Sequence, residues 1–137
     1  MLFALVVTTT PSSADVVDII RDWNLLGTFA TNCARPPAAD NPYATYVLRD
    51  EGVFLERNVG SNQDQLAIVS ASPLADGTLS IVIDFGKNGR RTNILAKDAD
   101  ERIRAIANHD SKGRFSVRNG VVIAVKRPTQ WQERCGS

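Results

Sequence analysis

His109, Cys33 and Cys135 are the only imidazole and thiol side chains of the sequence, so chemistry that needs those groups must be built from them. A metal centre wants several His, Cys or carboxylate ligands at close spacing. His109 stands alone in the polar stretch NHDSKG, and most of the chain separates the two cysteines. A nucleophilic site would set His109 beside an activated Ser or Cys, but Ser111 has neither an elbow nor a strand around it, and His109 reads as an exposed turn residue. Asp98, Asp100 and Glu101 group as acid–base carboxylates do, yet a solvated turn accounts for DADE better. No Gly-rich loop leads into a helix to cradle a phosphate. The inventory predicts a protein that is not an enzyme and holds neither metal nor cofactor.

The cysteines have a different use. Cys33 follows the first strand-like stretch and Cys135 is two residues from the end. One pair in a small chain with a signal-like start implies a disulfide made in an oxidising compartment. Such a bridge also holds a terminus that otherwise frays. The alternative is two free, buried thiols. Residues 1–14, MLFALVVTTTPSSA, resemble the back end of a secretory signal, an apolar run followed by Pro and small residues. The same stretch has the propensity of a β-strand. Taken as a signal remnant, it leaves residues 15–137 as one exported domain, periplasmic or secreted. The apolar run is too short to span a bilayer.

With 137 residues and 43% apolar content, the chain supports one core. The net charge of +1 is unevenly spread: residues 1–85 hold 4 basic and 10 acidic side chains, residues 86–137 hold 12 and 5. A basic C-terminal half suits an anionic surface or an envelope protein partner, though solvated strand faces also carry charge. Nucleic-acid binding would interleave the basic residues with aromatics; only Phe115 and Trp131 stand among them, so no nucleic-acid partner is expected.

The elements that would position a site follow from periodicity. In ADVVDIIRDW, Val16, Ile19, Ile20 and Trp23 fall at helical spacing, with Asp15 and Asp18 in the first turn and Ser12 placed to cap it. Beyond lie short alternating runs, LLGTFATN, YATYVLR, VFLERN, QLAIVSAS, TLSIVIDF, RTNILAK, RIRAIA, RFSVR and VVIAVK, cut by turn pairs such as Asn88-Gly89 and Asn119-Gly120. PTQWQERC is available as a tenth strand. If Asp76-Gly77 and Asn88-Gly89 are two-residue turns, Ile83 opposes Ser70 and Ile94. One face then carries Ile68, Ser70, Ile81, Ile83, Phe85, Thr92 and Ile94, and the other Ser80, Asp84, Asn93 and Lys97. Pro73 argues for a wider loop at Asp76. Sequential hairpins with little helix predict an all-β, antiparallel up-and-down barrel of 8–10 strands with a short N-terminal helix.

The helix followed by Gly27-Thr28-Phe29 resembles the start of a lipocalin-like, or calycin, barrel. That resemblance implies that Phe29 packs across the closed barrel end beneath a helix anchored by Trp23. A basic residue near the C-terminus, here Arg134, would lie over it. A disulfide tying the chain end to the barrel recurs in that group and would be Cys33–Cys135. The usual Trp of the signature is Phe29 here. Small periplasmic metalloprotease inhibitors share the architecture. Two functions follow from the resemblance. The barrel interior binds a small apolar or amphipathic ligand, with Ser70, Ser72 and Thr92 as polar contacts among Ile83, Phe85 and Ile94. A barrel this small also fills its interior with its own side chains. In the second function the protein docks on or inhibits another envelope protein, as a protease-inhibitor-like module acting through Arg35-Pro36-Pro37 or the basic wall.

Overall fold

The computed structural model describes residues 13–136. Residues 1–12, which hold most of the expected signal segment and the Ser12 cap, lie outside them. Helix α1 (Ser13–Asp22) includes Ser13 and Ala14 of that segment. It buries Val16 and Ile20, with Ile19 and Trp23 packed at the margin. Asp15 in its first turn and Arg21 in its last complement the helix dipole. The helix stops at Asn24, which takes the left-handed φ of 61°. The Leu25 amide then reaches back to the Ile20 carbonyl and the Asn24 amide to Arg21, a Schellman ending.

The described residues otherwise form eleven strands of one antiparallel sheet. These are β1 (Gly27–Ala30), β2 (Tyr43–Arg49), β3 (Gly52–Asn58), β4 (Gln63–Pro73), β5 (Leu79–Asp84), β6 (Arg90–Lys97) and β7 (Ile103–Asp110). The short β8 (Phe115–Arg118), β9 (Val121–Val122), β10 (Arg127–Pro128) and β11 (Glu133–Cys135) complete it. Strands β1 to β10 neighbour one another in chain order, and β11 returns to pair with β1. Asn119 and Gly120, both at positive φ, join β8 to β9 with Arg118 opposite Val121, the two-residue turn that Asn-Gly favours. VVIAVK, expected as one strand, is instead β9 and the four-residue turn that leads into β10.

The sheet is not closed, since the terminal strands β10 and β11 do not pair. Its two halves nevertheless meet at one point: Ile103 of β7 and Gln132 exchange backbone hydrogen bonds of 3.0 and 2.8 Å. One face, called inner here, carries the buried Phe29, Tyr46, Leu55, Ile68, Ile81, Leu95 and Ile103, and α1 packs over one end of it. Trp23 anchors that end by donating its indole N–H to the Gly77 carbonyl at 3.0 Å. The Lys97 ammonium lies 4.1 Å from the indole centre.

Two registers differ from expectation. The chain does not turn at Asn88-Gly89 alone. A 3-10 turn over Gly86–Asn88 widens the connection, and Phe85 N–H bonds the Gly89 carbonyl at 2.9 Å. Ile83 therefore opposes Arg91, and Ile94 opposes Ser80. The shift is by an odd number of residues, so Thr92 and Ile94 move to the outer face while Asn93 and Lys97, expected outside, move in. At Asp76-Gly77 the connection is a wider loop, as Pro73 requires, closed by the Leu74 amide on the Thr78 carbonyl at 2.9 Å. A bulge after Ile68 then places Ser70 opposite Val82 and Ser72 opposite Ser80, both outside, and returns Ala71 to the core opposite Ile81. Ile83→Ala should accordingly cost about 3 kcal/mol and the half-buried Ile94→Ala about 1 kcal/mol. Equal losses in urea unfolding would contradict this register.

Candidate functional site

Of the six side chains expected to line an interior, the structure brings Ile83 and Phe85 to the inner face. Ser70, Ser72, Thr92 and Ile94 lie outside, opposite Val82, Ser80, Val82 and Ser80 respectively. Beneath α1 the inner face is filled by its own side chains: Phe29, Leu25, Leu79 and Ile81 are fully buried. The other end is different. There the alternation Val53, Leu55, Arg57 on β3 meets Ile68, Leu66, Asp64 on β4, so an apolar face ends on two opposite charges. Arg57 donates its Nε–H to Asp64 Oδ1 at 2.9 Å and a second N–H to Oδ2. That donation holds the Asp64 carboxyl below the usual carboxylate range and raises the guanidinium in turn. The same guanidinium lies over the Phe85 ring, 5.2 Å from its centre. A bidentate pair that also stacks on an aromatic is held in one place.

Around this pair is a cavity of about 460 Å³ whose walls include Pro42, Tyr43, Ala44, Arg57, Val59, Asp64 and Gln132. Further along the same face, Arg91 donates to Asn108 Oδ1 at 2.6 Å and to Ser116 Oγ at 3.0 Å. Asn93, opposite Ile81, lies between these residues and the core. The loop above is shaped by Asn41, fully buried, whose side-chain amide donates to the carbonyls of Asn32, Arg35 and Pro36 and accepts from the Asn32 amide. The Arg35-Pro36-Pro37 segment is thereby pinned. Arg57, Asp64, Arg91, Asn108, Gln132 and Asn41 are the residues that sequence reading missed.

Beside the β1–β11 ladder, the disulfide joins Cys33, in the loop that Asn41 pins, to Cys135 with Cα atoms 5.3 Å apart. Arg134 opposes Phe29 in that ladder, and its guanidinium lies 4.7 Å from the ring centre. It donates to the carbonyls of Leu26 and Asn24, each at 2.6 Å. Gly27 makes room: a Cβ there would lie 2.3 Å from Arg134 Nη1. Tyr46 meets Phe29 edge-on at 6.0 Å, and burial pushes its phenol pKa far up. The Phe29 ring is thus covered by Arg134 and Tyr46.

His109 sits on the outer face opposite Phe115, with ring centres 5.0 Å apart. Among the described residues no group of three or more His, Cys, Asp or Glu side chains could hold a metal ion, and no helix is long and apolar enough to cross a membrane. The cavity lies at the end with Arg57 and Asp64, where Pro42, Ala44 and Val59 stand beside a neutralised ion pair. No protein-family model matches the chain, and no curated protein or solved structure is significantly similar to it.

Proposed function

We propose that the protein is an exported, lipocalin-like barrel that takes a small amphipathic ligand at the end of its inner face away from α1. The Ile103–Gln132 bridge supports closure, because it sets β7 beside the segment leading into β11. Strands β1 to β7 with β11 then make eight, the number whose interior just admits side chains or one small ligand. The disulfide is compatible with an extracellular location. The observation that carries the reading is the cavity of about 460 Å³ between Pro42, Ala44, Val59 and the Arg57–Asp64 pair, which has the size and the mixed lining of ligand pockets. Because Arg57 and Asp64 neutralise each other, the fitting polar group is uncharged or zwitterionic, with an apolar body reaching toward Pro42, Ala44 and Val59. The role is binding, with no catalytic step.

The second reading, docking of an acidic envelope protein on the outer wall, has one observation in its favour. Arg104 stacks on Trp131 at 5.0 Å and makes no ion pair among the described residues, and its buried Nε has no hydrogen-bond partner. Titration with the neutral dye N-phenyl-1-naphthylamine, alongside native mass spectrometry of freshly exported protein, tests the first reading. We expect saturable fluorescence that weakens at least tenfold in Ala44→Trp, which fills the cavity, and is unchanged in Ile94→Ala. Absence of both dye saturation and any co-purified small molecule would reject it and leave the outer wall.

A further inference from the structure

The β9–β10 hairpin departs from what a solvated turn ordinarily carries. Turn tips are rich in Gly, Asn, Asp and Ser, which tolerate the backbone geometry and the water. Here the turn residues are Ile123, Ala124, Val125 and Lys126. Ile123 is 47% exposed and Val125 60%, with Val121 beside them at 37%. Lys126 takes φ 54°, a left-handed position that Gly or Asn occupies at lower cost. The tip is not loose chain: the Lys126 amide bonds the Val122 carbonyl at 2.8 Å and the Ile123 amide bonds Ser116 at 3.0 Å. Three β-branched aliphatics are thus held out in water by a hydrogen-bonded frame.

Charge surrounds them with one sign. Between Asp110 and Glu133 the sequence contains Lys112, Arg114, Arg118, Lys126 and Arg127, and no acid at all. Arg118 opposes Val121 on one face of the hairpin, Arg127 opposes Val122 on the other, and Lys126 lies in the turn. None of these three forms an ion pair among the described residues. Arg118 instead covers the Phe115 ring at 4.8 Å.

We infer that this hairpin docks on an anionic lipid bilayer, seating Ile123 and Val125 among the acyl chains while Arg118, Lys126 and Arg127 meet the headgroups. An aliphatic tip ringed by cations is the pattern of interfacial anchoring, in which apolar burial and attraction to anionic lipid add together. A protein partner fits less well. Stable protein interfaces need roughly 800 Å² a side and are anchored by aromatic or Arg side chains seated in pockets. This tip is narrow, and no aromatic stands between Phe115 and Trp131. A bilayer asks for no shape complementarity, and a preformed tip loses little conformational freedom on entering it. The inference stands independently of whether the cavity holds a ligand.

Flotation of the full-length protein with vesicles tests it. Wild type should float with vesicles of equal parts phosphatidylglycerol and phosphatidylcholine, stay behind with pure phosphatidylcholine, and release as salt is raised. Removing each cation, by Lys126→Gln or Arg127→Gln, should weaken partitioning about fivefold. Ile123→Ser with Val125→Ser should abolish it at any salt concentration while leaving the melting temperature unchanged. Wild type that does not float with the anionic vesicles overturns the inference. So does an Ile123→Ser, Val125→Ser variant that floats like wild type, since charge alone would then suffice. Light scattering on the same samples covers the remaining occupant. A concentration-dependent dimer that the double serine variant returns to monomer, without flotation, would assign the tip to a second copy of this chain and overturn membrane docking.

Discussion

Removing the Cys33–Cys135 bridge is expected to destabilise the protein by about 4–5 kcal/mol, the chain-entropy value for a loop of roughly 100 residues. The two cysteines are 102 positions apart, so the bridge encloses nearly the whole sheet. Its Cα separation of 5.3 Å falls within the usual disulfide range, which leaves the entropic gain largely uncancelled. The local consequence is as large as the global one. Strand β11 is three residues long and ends one residue before Gly136. Three ladder positions against β1 could not by themselves hold a chain terminus. With the bridge gone, β11 should fray, and Arg134 should leave Phe29. Urea unfolding of Cys33→Ala, Cys135→Ala beside wild type measures the loss. Since small domains have only about 5–15 kcal/mol in hand, a loss of this size should move the midpoint by a large fraction of its value. A change under about 1 kcal/mol would mean that the ladder holds the terminus without help.

That bridge and the helix were legible because each depends on local or compositional signals. Val16 and Ile20 recur at helical spacing, and two cysteines admit a single intramolecular pairing. Register was less legible, and the reason is specific. Asn88-Gly89 is a good two-residue turn in isolation, but the structure spends Phe85 to Gly89 on a wider connection. Nothing in those residues distinguishes the two, because the choice is made by which side chains of β6 reach the core. Leu95 is buried there and Ile94 is not. The bulge after Ile68 is equally silent, and it decided the faces of Ser70 and Ser72. The Arg57–Asp64 pair could have been found. Once Val53 and Leu55 are taken as inward, alternation carries the inner face to Arg57, and the β3–β4 hairpin sets Asp64 opposite. Asn41 could not, because its buried amide satisfies carbonyls that only the folded loop brings together.

Phe29→Ala is expected to cost about 3–5 kcal/mol, toward the upper end of core truncations. Phe29 is fully buried, so the substitution leaves a cavity, and its neighbours are poorly able to collapse into it. Tyr46 is fixed across the sheet by β3, and Arg134 is fixed by its two hydrogen bonds to the carbonyls of Leu26 and Asn24. The truncation also removes the ring beneath the Arg134 guanidinium. A double-mutant cycle of Phe29→Ala with Arg134→Ala separates the two contributions. Cavity formation belongs to Phe29 alone, while the cation–π contact should appear as a coupling of about 0.5–2 kcal/mol. Arg134→Lys should keep little of that coupling, because an ammonium cannot bond both carbonyls from above the ring as the planar fork does. The coupling should also vanish when the Cys33–Cys135 bridge is reduced, if the bridge is what keeps β11 against β1. A coupling unchanged by reduction would show that Arg134 is positioned by its carbonyl contacts alone, and that the disulfide acts only on the unfolded chain.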